Sequence, residues 1–304
     1  NKKDLKIDMK IFDCFMYFDE DIILDVRLNT LHENVDYFII VESKFTHKGE
    51  KRNLRFNLND YQKFKDKIVY LVYEEEPIEV KAVNKNDTEN EKSTKYIFNA
   101  IYRENGQRNF IIEGLKKADD NDIILISDVD EIPNLKDINL RNFQEKLIFF
   151  NQEMFYYKFN LKLPNHNWVG TRSCKKKYLQ SPQWLRNIKV RNYPFYRVDT
   201  YFSKTRYSNI RFVNNGGWHF TNLKSAEEIK HKLKSYLHHR EFEINPLSTE
   251  DIENLIINRK AIYDLTVDKR NKKMGDGNQL EKYDLNKLPS YINYNLNKFK
   301  KWID

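Results

Sequence analysis

Asp122-Ile-Ile-Leu-Ile-Ser-Asp-Val-Asp-Glu-Ile-Pro133 decides how the chain is read. Ile123 to Ile126 form a continuous apolar run of the kind buried on both faces of a sheet. The run passes directly into Asp128, Asp130 and Glu131. In open α/β sheets ligands sit outside the carboxyl ends of the strands, so acids placed there mark a site. Three carboxylates in four positions repel one another, a cost that a bound cation offsets. An all-oxygen donor set favours Mg2+ or Mn2+, which keep coordination positions open for phosphate oxygens. A chance acidic turn or helix N-terminus gives the same letters, and both readings stand at this point.

Upstream, Lys10 to Phe18 is short, aromatic and β-prone, and Asp19, Glu20 and Asp21 suit the first turn of a helix. Leu24, Leu28 and Leu31 follow at i, i+4 and i+7, one apolar helical stripe, and Tyr37 to Val41 is a second buried-strand run. Strand, helix, strand makes a right-handed βαβ unit. Ile68 to Tyr73 repeats the buried-strand pattern, residues 74–93 are polar and unpatterned, and a helix is expected from about Thr94 to Ala118. The N-terminal half therefore reads as a doubly wound α/β sheet, mostly parallel and flanked by helices.

Past residue 150 the pattern becomes irregular and aromatic-rich, with Trp168, Trp184 and Trp218. Helices are expected at Ser225–Arg240, opened by a Ser225/Glu228 capping box, and near Ser248–Leu265. Asp268 to Gly277 reads as an exposed loop, and the amphipathic tail from Leu288 to Trp302 is expected to pack on the domain. No internal repeat or linker is evident. The expectation is one domain over residues 1–304, its halves being residues 1–133 and residues 134–304.

With 304 residues, 40% of them hydrophobic and 32% charged, the chain can bury a core, which excludes disorder as a whole. There are 8 glycines and neither GxGxxG nor GxxxxGK[ST], so a glycine-rich phosphate loop is not expected. No apolar run approaches the ~18 residues of a membrane span, and mean hydropathy is −0.80. Cys14 and Cys174 are too few for a disulfide framework or a CxxC zinc site, and two unpaired thiols point to a reducing compartment. The net charge of +8 suits a nucleic acid, a membrane surface or a phosphate-bearing small molecule, or simply a solvated basic surface.

Two further stretches carry chemistry. Arg103-Glu-Asn-Gly-Gln-Arg-Asn109 lies one helix upstream of the acidic strand. A guanidinium grips two phosphate oxygens at once, and Asn offers both donor and acceptor to a sugar; a solvated helix face is the plain alternative. In Asn214-Asn-Gly-Gly-Trp-His-Phe-Thr221 the glycines permit a tight turn, and His219 is either a nitrogen donor to a site or a structural histidine. His238 and His239 lie near a helix end, where the dipole alone favours them. The faces of Trp168 and Trp218 suit sugar rings, although most aromatics must be core.

Taken together with Ile11-Phe-Asp-Cys-Phe15, Asp36-Tyr-Phe-Ile-Ile-Val-Glu-Ser43, Ser181-Pro-Gln183 and Gly216-Gly-Trp-His-Phe220, these stretches resemble glycosyltransferase family 17 in order and spacing, over about residues 9–242 and again in the tail. The family includes the enzymes that add bisecting N-acetylglucosamine. The resemblance implies a GT-A-like (Rossmann-like) fold, a UDP-GlcNAc donor, a glycan or other hydroxyl acceptor, and inversion at the anomeric carbon. It implies that Asp128 and Asp130 hold Mn2+ or Mg2+ on the donor diphosphate, with His219 completing the site. Arg103, Arg108 and Asn109 would orient the diphosphate and sugar, and Glu42 and Lys44 would lie near the nucleotide. Glu241, or else Glu131, would take the acceptor proton. The stretch Ser235-Tyr-Leu-His-His-Arg-Glu241 is one residue longer than the family pattern. The anchor and cysteines of animal Golgi members are missing, so a bacterial or viral-type cytoplasmic relative is expected, with peripheral membrane contact at most.

Two other classes compete. A metal-dependent phosphodiesterase or nuclease would use the acidic triplet and the basic charge, but the His/Asp clusters of two-metal hydrolysis are missing. A non-catalytic carbohydrate-binding protein would use the aromatics and leave the acids without a purpose.

Overall fold

Strand β1 (Ile11–Tyr17), helix α1 (Asp21–Leu31) and strand β2 (Tyr37–Ser43) form the expected βαβ unit, with β1 and β2 parallel in register from Phe12↔Tyr37 to Tyr17↔Glu42. The computed structural model describes residues 9–136, 138–194, 196–200, 202–235, 242–243, 246–263 and 277–304. β3 (Ile68–Tyr73) pairs with β2, and β4 (Ile123–Asp128) pairs with the other side of β1, both in parallel. The next strands are β5 (Glu131–Pro133), β6 (Leu147–Tyr156), β7 (Leu161–Lys175), β8 (Ile210–Val213), β9 (Gly217–Thr221) and β10 (Glu281–Lys282). Together they build one sheet of order β3-β2-β1-β4-β7-β6-β9-β5, with β10 beside β7 and β8 beside β6. β6 is parallel to β8 and β9, whereas β7 runs antiparallel to β4 and β6. The architecture is the expected α/β, a mostly parallel sheet flanked by helices.

Alternate residues of the central strands feed two cores, one on each face of the sheet. Ile11, Phe15, Phe38, Ile40, Ile123 and Leu125 pack against Leu24, Leu28 and Leu31 of α1 and against Leu288, Ile292 and Phe299 of the tail. Phe12, Cys14, Ile39, Val41, Ile124 and Ile126 pack on the other face, against Ile111 and Leu115 of a 3-10 helix (Phe110–Lys117). This double burial explains why these strands read as unbroken apolar runs. Cys14 and Cys174 are free thiols in that second core.

Three expectations are corrected. β3 is half-buried along its whole length because it is an edge strand, paired among the described residues only to β2. Helix α2 (Glu89–Asn109) starts five residues before Thr94, within the stretch read as a loop, on a Thr88/Glu91 capping box. It gives way to the 3-10 helix at Phe110. The region after residue 150 is not irregular throughout: β6 and β7 are long paired strands. Bulges between Phe149 and Asn151 and between Glu153 and Phe155 break their period-two pattern, which hides them in the sequence.

Helix α3 (Pro182–Asn187) is capped by the Ser181 hydroxyl, α4 (Ala226–Ser235) opens on the Ser225/Glu228 box, and α5 (Thr249–Ile257) follows Ser248. Most of the Asp268–Gly277 stretch, together with His238 and His239, lies outside the described residues. No helix among the described residues is long and apolar enough to cross a membrane.

Candidate functional site

The acidic turn is built by a residue far away in sequence. Arg27 of α1 is fully buried. Its Nε and Nη2 donate to both oxygens of Asp13 on β1, at 2.8 and 2.6 Å. Its Nη1 donates to the carbonyls of Asp128, Val129 and Glu131 at 3.1, 3.1 and 2.7 Å. Three backbone acceptors that leave the sheet at the end of β4 are thereby satisfied inside the core, where leaving them unpaired would cost about 1–3 kcal/mol each. The Phe220 amide donates to the Asp130 carbonyl at 2.9 Å, and the Thr171 hydroxyl to that of Glu131 at 3.1 Å.

Glu131 is fully buried and opposes His219 in the β5–β9 register. Its Oε2 accepts from the Asp128 amide (2.9 Å) and Arg186 Nη1 (2.8 Å); its Oε1 accepts from Arg186 Nη2 (2.9 Å) and Trp168 Nε1 (2.7 Å). Asp128 takes Arg108 Nη2 on one oxygen at 3.0 Å and Arg186 Nη2 on the other at 3.2 Å. Burial raises the Asp128 pKa, but the Arg186 and Arg108 guanidiniums outweigh it and hold the carboxyl well below the usual range.

Asp128 and Asp130 line one narrow cleft, about 40 Å3 in volume, with Tyr17, Phe18, Glu20, His47, Gln107 and Lys232. It lies outside the carboxyl ends of β1 and β4, where the sequence placed a site, and α4 closes it through Lys232 and Ser235. His219 Nε2 stands 3.5 Å from Asp130 Oδ1. Burial raises the Asp130 pKa and lowers that of His219, but their mutual attraction prevails, leaving Asp130 below and His219 above its ordinary value. Glu20 is pinned by the Phe18 and Asp19 amides on Oε2, at 3.2 and 3.1 Å, and its Oε1 lies 4.0 Å from Lys232 Nζ. Burial and neighbouring Asp19 raise the Glu20 pKa.

Among the described residues no group of three His, Cys, Asp or Glu side chains is placed to hold a metal ion. Asp130 faces the cleft with a nitrogen donor beside it, and both Asp128 oxygens are met by arginines. That donor set fits an ion bound through one or two carboxylates and completed by phosphate oxygens and water, the habit of Mg2+.

The remaining sequence-read residues are scattered. Arg103 pairs with Glu76 at 3.0 Å and donates to the His47 carbonyl. Asn109 accepts from the Gln183 amide and so fixes the start of α3. Glu42 is fully buried, accepting from the Arg55 and Phe56 amides and the Tyr70 hydroxyl, and Lys44 pairs with Glu74. The Trp168 ring lies 5.1 Å from that of His219. Trp218, read as a sugar face, is buried with the first core and donates Nε1 to the Lys287 carbonyl. Glu241 lies outside the described residues. Glu20, Arg27, Arg186 and Lys232 are the site residues that the sequence reading missed. Only Glu20 carried a signal, its place directly after β1; the others arrive from distant elements.

Comparison with known proteins gives one assignment. The model of glycosyltransferase family 17 matches residues 2–303. No curated protein matches the chain.

Proposed function

The chain belongs to glycosyltransferase family 17, and from that premise we propose that it transfers N-acetylglucosamine from UDP-GlcNAc to a hydroxyl of a glycan acceptor, with inversion to a β linkage and in a metal-assisted manner. Membership makes it a glycosyltransferase that takes a sugar donor and an acceptor. The sheet order supports a GT-A-like reading, and we treat residues 1–304 as one catalytic unit.

The observation that carries the proposal is Asp128 and Asp130 lining one cleft with Lys232 at the carboxyl ends of β1 and β4. Asp130, with His219 beside it, would hold Mn2+ or Mg2+ on the donor diphosphate, and that ion would supply Lewis-acid stabilisation of the departing UDP. Lys232 adds a positive charge to the same lining. Burial pulls its pKa down, but Asp130 and Glu20 more than compensate, so it stays charged. Arg108 and Arg186 hold the Asp128 carboxylate, and Arg27 holds the backbone beneath it, so the acids do not have to reorganise as charge develops. Trp168 stands beside His219 as the acceptor-side aromatic. Glu241 is assigned removal of the acceptor proton from the family resemblance.

A screen of nucleotide sugars, reading nucleotide release with and without Mn2+, tests the proposal. UDP release from UDP-GlcNAc that requires the metal is the expected result. Release from a different nucleotide sugar alone would overturn the donor, and cleavage of a phosphodiester substrate instead would favour the hydrolase class.

A further inference from the structure

We propose that the described residues between 189 and 206 form a docking surface for an anionic lipid bilayer. From Arg186 to Arg211 the chain carries seven basic residues (Arg186, Lys189, Arg191, Arg197, Lys204, Arg206 and Arg211) against a single acid, Asp199. Seven basic residues against one acid give this 26-residue stretch a formal charge of +6.

The base of the surface is firmly built. Lys189 donates its amide to the Thr205 carbonyl at 2.8 Å and Tyr193 to that of Tyr207 at 3.0 Å, while the Asn192 side chain pairs with both backbone groups of Ile210. Buried Arg172 of β7 donates to the carbonyls of Leu185 and Ile188, both at 2.9 Å. The Trp184 indole donates to the Lys204 carbonyl at 2.8 Å.

The tip is unusual for a water-facing loop. Tyr196 is 71% exposed, Val198 67% and Phe202 86%. The Arg191, Arg197 and Arg206 guanidiniums converge on one ring, Tyr193, at 5.6, 5.6 and 5.9 Å from its centroid. Clustered apolar side chains rimmed by cations mark an interaction surface. An anionic bilayer meets both halves at once: the rings enter the headgroup boundary and the cations meet lipid phosphates. A nucleic acid or soluble polyanion would use the arginines but leave Val198 and Phe202 unburied, so the lipid surface is the better match. Arg186, at the start of this stretch, also grips Asp128 and Glu131, so an acceptor held at the membrane would meet the cleft at its rim.

Co-sedimentation of the full chain with vesicles tests this. Binding is expected to phosphatidylcholine vesicles containing about a third phosphatidylglycerol, to weaken as salt rises, and to be absent with phosphatidylcholine alone. Val198→Ser with Phe202→Ser, and separately Arg197→Glu with Lys204→Glu, should each weaken binding about tenfold or more, given roughly 1 kcal/mol per cation at such a surface. These side chains lie outside the cleft, so UDP binding serves as the folding control. No binding to the anionic vesicles, or equal binding by both variants, overturns the proposal. So does capture on heparin that depends on Arg197 and Lys204 in a protein that ignores vesicles, which would make the surface a soluble-polyanion site.

Discussion

Arg186 and Glu131 meet in a two-point ion pair, Nη1 to Oε2 at 2.8 Å and Nη2 to Oε1 at 2.9 Å, around a carboxylate with no exposure to solvent. With the Trp168 indole and the Asp128 amide on the same two oxygens, every strong acceptor position of Glu131 is occupied. Its geometry is that of a clamp that fixes the acidic turn to α3 and β7, and it leaves no oxygen turned toward an incoming hydroxyl.

Breaking that clamp should therefore register in stability. Removing one partner of a buried pair strands the other, at a cost of about 3–5 kcal/mol. Glu131→Gln and Arg186→Ala should each lower the unfolding free energy by about that amount in urea titrations. A Glu131→Gln protein of parental stability that had lost turnover would instead return Glu131 to a role in proton transfer.

Gly217 makes a second structural prediction. Its φ of +128° is one that side chains rarely adopt, and an added Cβ would sit 2.1 Å from the Ile132 carbonyl oxygen and 2.7 Å from the Asn134 nitrogen. Both neighbours are backbone atoms of the β5 segment and cannot rotate aside. Gly217→Ala should destabilise the protein by more than about 1 kcal/mol. It should also weaken UDP binding, because the β5–β9 pairing sets His219 opposite Glu131. Unchanged melting and affinity would show that the turn can shift without consequence.

What could be read from the sequence follows from how local each signal is. β1, α1, β2 and β4 were legible because residues buried on both faces, or on one helical stripe, leave unbroken apolar patterns. β6 and β7 were not, since their bulges interrupt the period that identifies a strand. Asp128, Asp130 and His219 were legible as motif letters beside turns. Arg186, 55 residues from Glu131, and Arg27, 101 residues from Asp128, were not: only the folded topology brings them there. Asn109, Glu42 and Lys44 had suitable chemistry, but the fold gives them partners away from the cleft lining, whereas Arg103 reaches that lining through the His47 carbonyl.

The two thiols make a pH-dependent prediction. Burial pushes the Cys174 thiol up to about 12 and raises Cys14 well above its ordinary value. Because the thiolate is the reactive form, neither should react with a disulfide reagent in native protein at pH 8, and both should react once unfolded in denaturant. Raising the pH to 9 should leave the native protein almost inert. Rapid modification of either cysteine at pH 8 would show that the second core opens.

For the proton-transfer step, Glu241→Gln should lower turnover by about 100-fold or more, the usual range for a general base, while sparing UDP affinity. Glu20→Gln is the informative companion, because Glu20 is a carboxylate lining the cleft with its Oε2 held by two amides. Normal turnover in Glu241→Gln, with loss in Glu20→Gln, would move the base to the end of β1.

Asp128 and Asp130 should part company when each is changed to Asn. Asp128 answers two guanidiniums, so its neutralisation leaves Arg108 and Arg186 short of an anion in a buried setting and should lower stability as well as binding. Asp130 has His219 at 3.5 Å and attracts Lys232, but bears no two-guanidinium clamp of the kind on Asp128, so Asp130→Asn should lower the unfolding midpoint less than Asp128→Asn does. The main effect of Asp130→Asn should fall on the nucleotide: calorimetry with UDP should show affinity reduced about tenfold or more in the presence of Mn2+, and little change in its absence. Equal Mn2+-dependent affinity in Asp130→Asn and parent would remove the ion from the acidic turn and leave Lys232 and His219 to carry the diphosphate's charge.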